Sequence, residues 1–344
     1  MRKCANGSIP RSGVEYFCFR IPRLMIVTLL FLAVLFVAYA NGANDNFKGV
    51  ASIYGSGTAS FRTSLWWGTA TTLAGALTAL WLSEKLLKTF SGNGLVPAEY
   101  VISQSFVFPV ALGTALTCML ATRLGFPIST THGLVGSLIG AGLATGGWSV
   151  VNWGALWAKF FQPLLISPLL ALAAGPLIYI ILRSARLAPD HRTRTLDALH
   201  FLSGGAVGFA RGLNDTPKMA ALLLVAHSLG VQGCLLCIAA VMTVGGLLHA
   251  RRVAETLSKK ITGMNPGQGF SANLATAGLV IAASVFGLPV STTHVGVGTL
   301  TGIGLVTKQA KLKSILQIVA AWVVTLPCGA ILAAATVWVM RIVG

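Results

Sequence analysis

Charged residues are scarce in this sequence, and acidic residues are the scarcest. Of 344 residues, 25 are Lys or Arg and only 8 are Asp or Glu, so that charged residues make up 10% of the chain. Ordinary soluble domains contain about 25%. Hydrophobic residues make up 55%, and the mean hydropathy is +0.78. A composition so poor in charge excludes a sizeable soluble domain and indicates a protein embedded in a lipid bilayer.

A long basic tail or patch is also absent, although the formal net charge is +17. Basic chains often bind nucleic acid. Here the basic residues are scattered between apolar stretches, as the cytoplasmic loops of membrane proteins require. We therefore expect no nucleic acid partner and attribute the positive charge to the orientation of the chain in the membrane.

The patterns of ATP-driven pumps and of common enzymes are missing. No G-x-x-x-x-G-K-[ST] sequence occurs, which excludes this phosphate-binding loop for ATP, and no nucleophile elbow indicates a hydrolase. Cysteine is sparse, and the single C-x-x-C pair, Cys234 and Cys237, lies in an apolar run. That setting favours packing over a redox pair or a zinc site. We expect neither enzyme activity nor a cofactor.

Apolar runs of spanning or near-spanning length are abundant. A helix that crosses a bilayer needs about 20 apolar residues. Such runs occur at 24–41, 64–82, 105–122, 128–146, 161–182, 199–213, 231–248, 271–287, 290–306 and 314–341. A shorter run at 217–230 is typical of a half-helix. The pattern predicts an all-α polytopic membrane protein with 10–12 transmembrane or re-entrant helices.

The first 24 residues differ from the rest of the chain. They carry five basic residues, and Ala38-Tyr39-Ala40 ends the apolar run that follows, as at the cleavage site of a signal peptide. The motif just beyond recurs later in the chain behind a helix that cannot be cleaved. We therefore favour an uncleaved first helix. Residues 1–24 are then a disordered extension or lie upstream of a true start at Met25.

A second polar stretch lies in mid-chain. Four arginines occur between residues 183 and 194, where the hydrophobic pattern is interrupted. Such a stretch is typical of a cytoplasmic loop. It predicts a basic linker at 183–197 between a first transmembrane repeat at 25–182 and a second at 198–344.

Two motifs occur twice, in the same order and about 160–170 residues apart. Residues 42–48, GANDNFK, match residues 212–218, GLNDTPK, and residues 127–132, PISTTH, match residues 289–294, PVSTTH. Ordered matches of this length indicate an internal duplication. Duplicated halves with interrupted helices are typical of secondary transporters, whose sites lie between the repeats near the middle of the membrane.

The N-D pair of the first motif places a carboxylate at the end of an apolar run. Asp45 and Asp215 are costly at that depth unless each has a partner or faces a cavity. Asn44 and Asn214 add amide oxygens beside them, and the glycine of each motif permits unwinding of the backbone, which could free carbonyl oxygens. Because hard cations prefer such oxygens, we predict cation sites, for sodium in particular, at these four residues.

Lysine and histidine accompany the motifs as accessory candidates. Lys48 and Lys218 follow the aspartates by three residues. They could neutralise the carboxylates, approach an anion or extend towards the membrane surface. His132 and His294 end the S-T-T-H motifs, where packing, direct ligation and proton coupling are all open. A zinc site is not expected, because no further His or Cys cluster accompanies them.

The S-T-T-H motifs suit an anion. Each has three consecutive hydroxyl residues behind a proline, at the start of a glycine-rich apolar stretch. Hydroxyls at a helix N-terminus, free backbone N–H groups and the helix dipole all favour a negative guest. The predicted donors are Ser129, Thr130, Thr131, Ser291, Thr292 and Thr293. Ordinary capping of two helices is the alternative.

The four repeated blocks resemble the inorganic phosphate transporter (PiT) family, and the resemblance extends from about Met25 to the C-terminus. It implies an inverted-repeat fold, usually a homodimer, with phosphate held between re-entrant half-helices. Carried over by position, it assigns the cation to the two Asn-Asp pairs and phosphate to the six hydroxyl residues. Pro217 departs from a faithful copy of the first N-D motif.

The expected function is cation-coupled symport of inorganic phosphate across a bacterial inner membrane, with sodium or the proton as coupling ion. A sulfate or other oxyanion permease of the same fold is the alternative, because short bacterial relatives include sulfate permeases. The sequence leaves open the stoichiometry, the absolute topology, and whether phosphate moves alone or as a metal complex.

Overall fold

The structure is a computed structural model of the chain, and it describes residues 22–82, 84–91, 94–188, 190–226 and 229–343. Over these residues the fold is helical, and the sole β pairing described is an isolated bridge between Thr262 and Ala310. The first helix begins at Arg23. The N-terminal extension predicted at 1–24 therefore lies outside the described residues, apart from its last three.

The described residues of the first part of the chain form nine α-helices. They are α1 Arg23–Asp45, α2 Ala51–Gly55, α3 Phe61–Leu82, α4 Glu84–Phe90, α5 Ala98–Val101, α6 Gln104–Leu124, α7 Thr130–Gly146, α8 Trp153–Leu156 and α9 Gln162–Ser184. A turn of π-helix at Trp157–Phe161 joins α8 directly to α9. The predicted linker at 183–197 extends from the end of α9 into the next helix.

In the second part of the chain, the residues that the structure describes form six helices. They are α10 Arg194–Leu224, α11 Val231–His249, α12 Arg251–Lys259, α13 Pro266–Phe286, α14 Thr292–Val306 and α15 Leu312–Val343. Each apolar run of spanning or near-spanning length overlaps a helix of the first or the second part. Cys234 and Cys237 are free thiols on α11, in agreement with the packing interpretation.

Six helical stretches of the described residues are long and apolar enough to cross a membrane. They are Leu24–Asp45, Gln104–Leu124, Trp153–Ser184, Val231–His249, Pro266–Phe286 and Leu312–Val343. On α9 and α15 large apolar side chains such as Leu169 and Leu316 are exposed, as lipid-facing residues must be. The prediction of an all-α, multi-pass membrane protein is confirmed.

Helices α7 and α14 are shorter, with 17 and 15 residues. At 1.5 Å per residue they measure about 26 and 23 Å, less than the hydrocarbon thickness of about 30 Å. Each follows a left-handed glycine, Gly125 or Gly287, that ends the preceding helix. Their length suits half-helices that start inside the membrane.

The helix that carries the second N-D motif corrects two expectations. Helix α10 runs without interruption from Arg194 to Leu224, so the unwound loop expected at Gly212 and the separate half-helix expected at 217–230 are wrong. Gly212 serves close packing, because a Cβ there would collide with the carbonyl oxygen of Thr72 on α3. Gly42 is likewise helical, within α1.

Corresponding helices of the two halves make corresponding contacts. Helix α1 packs on α6 and α11, α10 packs on α13 and α3, α7 packs on α15, and α14 packs on α9. These contacts correspond in pairs: α1–α6 to α10–α13, α1–α11 to α10–α3, and α7–α15 to α14–α9. Glycines permit the close approach, since Gly140 faces the carbonyl of Ala330 and Gly302 that of Leu172. The inverted orientation of the halves remains a prediction.

Candidate functional site

The N-termini of α7 and α14 meet in the interior. Thr293, the second residue of α14, donates a 2.6 Å hydrogen bond to the carbonyl of Ile128, two residues before α7. The ring centroids of His132 and His294 are 4.5 Å apart. The two S-T-T-H motifs, 162 positions apart in the sequence, are therefore neighbours.

Serine caps each of these helices. The side-chain oxygen of Ser129 accepts a bond from the backbone N–H of His132 at 3.3 Å, and that of Ser291 accepts one from His294 at 3.2 Å. The capping expected as an alternative thus occurs in both halves. It engages one donor in each helix terminus and leaves the threonine hydroxyls to other partners.

The threonines of both motifs follow the capping serines directly. Thr130, Thr131, Thr292 and Thr293 are all buried. Thr131 Oγ1 is fully enclosed and has no hydrogen-bond partner among the described residues. Since buried polar atoms are normally bonded, this hydroxyl is available to a guest.

Asp45 is buried at the C-terminal end of α1. The Lys48 ammonium forms an ion pair with one carboxylate oxygen, and the Asn41 amide donates to the other at 3.1 Å. Lys48 also donates to the carbonyl of Ile128 at 3.1 Å and to the hydroxyl of Thr293. The first N-D motif is thereby tied to the entrances of both short helices.

Asp215 is buried in the middle of α10 and has a similar environment. The Lys218 ammonium donates to its Oδ1 at 2.9 Å, and Arg211 Nε lies 3.4 Å from its Oδ2. Lys218 also donates to the carbonyl of Val290 at 3.3 Å. Both lysines are thus directed inwards, so extension to the membrane surface does not apply to them.

Asn44 and Asn214 hold the turns in front of the short helices. The Asn44 amide donates to Thr122 Oγ1 and to the carbonyl of Phe126, each at 3.0 Å, and accepts from the backbone N–H of Ile128 at 3.0 Å. Asn214 donates to the carbonyl of Val290 at 3.3 Å. Its own side-chain oxygen is buried without a partner in the described part of the chain.

The histidines differ in their surroundings. His294 stacks on Trp322, with centroids 3.9 Å apart, and its Nδ1 lies 3.4 Å from the carbonyl of Leu164. Within the described residues, His132 Nδ1 and His294 Nε2 are buried without a hydrogen-bond partner. The pair is packed together beside the threonines, and the structure shows a packing role while leaving two ring nitrogens unengaged.

Two residues of the site escaped the sequence reasoning. Arg211 is completely buried and donates to Asn41 Oδ1 at 2.7 Å and to Thr72 Oγ1 at 3.3 Å. Asn41 is also buried. Each immediately precedes the glycine of its N-D motif, so extension of the repeat alignment by one position would have found both.

The charges of this cluster do not balance. Lys48, Lys218 and Arg211 contribute three positive charges, and Asp45 and Asp215 contribute two negative ones, all on buried side chains. These two are the sole buried acidic residues in the described part of the chain. Because an uncompensated buried charge is costly, the surplus positive charge favours an anion.

Metal ligation finds less support. The described residues contain no group of three or more His, Cys, Asp or Glu side chains arranged to hold a metal ion. The oxygens near Asp45 and Asp215 are engaged mainly by lysine, arginine and amide donors. The arrangement is therefore better suited to an oxyanion held by donors than to a transition metal held by ligands.

Known proteins are similar to this chain. The model of the phosphate transporter family matches residues 41–196 and 184–333. The "Probable low-affinity inorganic phosphate transporter" of Rhizobium meliloti (strain 1021) is 29% identical over 325 residues, which cover 90% of this chain and 95% of that protein. The protein of the same description from Mycobacterium leprae (strain TN) is 27% identical over 338 residues, covering 93% of this chain and 80% of that protein.

A solved structure described as "The sodium-dependent phosphate transporter" has a TM-score of 0.82 and 20% sequence identity, and covers 93% of this chain and 100% of that chain. At this identity the likeness establishes a shared fold. The family match, by contrast, extends over most of the sequence, including all four repeated motifs. The chain belongs to the phosphate transporter family.

Proposed function

We propose that this protein carries inorganic phosphate across the bilayer by cation-coupled symport. The observation that carries the proposal is the surplus positive charge of the buried cluster, next to the converging N-termini of α7 and α14. Phosphate esters carry about −1.5 to −2 charges near neutral pH, and inorganic phosphate is comparable. Such an anion more than offsets the single surplus positive charge of the cluster.

The proposed phosphate ligands are the hydroxyl residues of the two S-T-T-H motifs. Thr131 Oγ1 offers an unengaged hydroxyl. At the N-terminus of each helix, the backbone N–H groups and the positive end of the helix dipole both favour an anion. The Arg211 guanidinium adds planar donors that match an oxyanion. A tetrahedral anion has enough oxygens to accept from both halves at once.

Coupling to a cation follows from energetics. Moving one negative charge into a compartment at −100 mV costs about 2.3 kcal/mol, so a dianion alone faces nearly 5 kcal/mol. The sequence lacks the phosphate-binding loop through which ATP would be used. A cation that enters with phosphate offsets this cost. Asp45 and Asp215 are the buried negative charges that respond to it, and sodium and the proton are the candidates.

The site is proposed to lie between two inverted repeats, at 25–182 and 198–344, near the middle of the membrane. The exchange of packing partners between the halves supports this assignment. We further propose a bacterial inner-membrane location, which is consistent with the bacterial relatives, and a homodimer, which the sequence resemblance implies.

The test is uptake of labelled phosphate by the purified protein in proteoliposomes. We expect saturable uptake that an inward cation gradient accelerates and that a tenfold excess of sulfate leaves largely unchanged. Glu255→Gln, at an exposed ion pair with Arg251, is a control that should behave as wild type. Equal competition by sulfate would point to the general oxyanion permease, and uptake no faster than in protein-free liposomes would refute phosphate transport.

A further inference from the structure

The two aspartate–lysine pairs have the same construction in both halves. Lys48 is paired with Asp45, and Lys218 with Asp215, three residues apart in each case. All four side chains are 3% exposed. Of the three roles that the sequence leaves open for the lysines, the structure selects close pairing with the carboxylates inside the protein.

The remaining contacts of the lysines also match. Lys48 Nζ lies 3.1 Å from the carbonyl oxygen of Ile128, and Lys218 Nζ lies 3.3 Å from that of Val290. Ile128 and Val290 hold equivalent positions, directly before the capping serines. Thr293 supplies a third oxygen to Lys48. Carboxylate, main-chain carbonyl and hydroxyl oxygens are the ligands of a hard cation, yet here three such oxygens contact the ammonium of Lys48 and two contact that of Lys218.

A lysine ammonium is a compact positive charge with three donors and no acceptor. Three oxygens therefore satisfy Lys48 completely. A sodium ion at Asp45 would lie against this ammonium and be repelled by it, or would have to displace it and leave a buried lysine without a partner. The amide of Asn44, which was expected to contribute an oxygen, already makes three bonds within the protein.

We propose that the ammonium groups of Lys48 and Lys218 occupy the two places expected for sodium, so that this chain binds and transports phosphate without sodium and the proton is its coupling cation. The inference rests on the proposed function for the identity of the transported anion. It assigns ion specificity to two residues of the chain itself: removal of either ammonium opens a cavity lined by oxygens, beside a carboxylate that has lost its lysine partner, and sodium can enter this cavity.

The first test is direct and independent of transport. Thermal unfolding of the purified protein in detergent is followed in sodium chloride and in choline chloride at equal ionic strength. Because a ligand that binds the folded state raises Tm, wild type should show the same Tm in both salts. In choline chloride, Lys48→Ala and Lys218→Ala should each have a lower Tm than wild type. Sodium chloride should restore part of this loss of Tm in both variants. Lys88→Ala, at an exposed i,i+4 pair with Glu84, is the matched lysine control and should show no sodium response.

The second test measures uptake of labelled phosphate in proteoliposomes with sodium, potassium or choline as the external cation, at a fixed pH gradient and membrane potential. Wild-type rates should agree within twofold in the three media. The alanine variants should lose at least tenfold in choline and potassium and regain activity in sodium.

The results separate the two proposals. A wild-type protein that sodium stabilises, or that needs sodium for uptake, would overturn the inference while leaving phosphate transport intact. Alanine variants that fold and gain no sodium response would also overturn it. If no medium supports phosphate uptake, the proposed function fails, and the sodium dependence of Tm still decides whether the lysines occupy the cation places. Should the variants not fold, the wild-type comparison alone decides.

Discussion

Arg211 and Asn41 hold equivalent positions in the two halves and are bonded to each other, because Arg211 donates to the Asn41 side-chain oxygen at 2.7 Å. The symmetry of the duplicated motifs is thus broken by charge at the point where the halves meet. Asn41 also reaches both carboxylates, at 3.1 Å from Asp45 and 3.4 Å from Asp215. This bond connects α1 with α10. The guanidinium of Arg211 is the source of the surplus positive charge of the site.

Replacement of this arginine should weaken phosphate binding. For Arg211→Gln we expect the KM for phosphate uptake to rise about 10- to 100-fold, since a hydrogen bond to a charged group contributes roughly 1.5–3 kcal/mol. Arg211→Lys, which keeps the charge and loses the planar donors, should fall in between. The control is Arg192→Gln, at an exposed pair with Asp197. An unchanged KM in a folded Arg211→Gln protein would limit the arginine to a structural role.

Neutralising either buried aspartate should abolish transport. Asp45→Asn and Asp215→Asn each leave a buried ammonium group without its counter-charge, which typically costs about 3–5 kcal/mol. We expect uptake to fall at least 100-fold, with a lower Tm but normal membrane insertion. The double variant Asp45→Asn/Lys48→Met removes both charges and should recover Tm without recovering uptake. Near-normal uptake by either single variant would exclude that aspartate from the mechanism.

The unpartnered hydroxyl of Thr131 distinguishes anion binding from helix capping. Thr131→Val removes a group that makes no hydrogen bond within the described protein, so Tm should stay within about 2 °C of wild type while the KM for phosphate rises about tenfold or more. Thr145→Val on the same helix, where the hydroxyl bonds the carbonyl of Ala141, should leave KM unchanged. If Tm falls and KM stays constant, the hydroxyl is structural.

Gly140 of the short helix α7 should tolerate no side chain. A Cβ at Gly140 would collide with the carbonyl of Ala330, and overpacking typically costs about 1–3 kcal/mol. We expect Gly140→Ala to lower Tm and the yield of folded protein. Gly278→Ala on α13, where a Cβ meets open space, should leave Tm unchanged or raise it slightly. Equal Tm values for the two variants would contradict the packing assigned to α7 and α15.

Much of the architecture was predictable because it depends on short stretches of sequence. The length and hydropathy of the apolar runs place most of the long helices, and the duplicated motifs reveal two related halves before any contact is known. The match to the phosphate transporter family agrees with the expectation of a transporter rather than an enzyme. Apolar length suffices for such predictions, since a segment in lipid must satisfy its backbone hydrogen bonds by itself.

Other features depend on residues far apart in the chain. Whether Gly212 unwinds a helix or seats one against α3 depends on Thr72, 140 positions earlier in the chain, and the helix–helix contact prevailed. The lysines illustrate the same point: the sequence shows each three residues after an aspartate, but the oxygens from Ile128, Val290 and Thr293 that complete their surroundings come from helix termini elsewhere.

The sequence by itself therefore determined the membrane class, most of the long helices, the duplication and the chemical types at the site. Tertiary structure alone decided that Arg211 joins the cluster, that Asn44 and Asn214 hold turns, and that ammonium groups fill the places expected for cations. The physical reason is that polar side chains buried in a membrane protein must find partners. Which partners they find is set by the packing of distant helices and not by the local pattern.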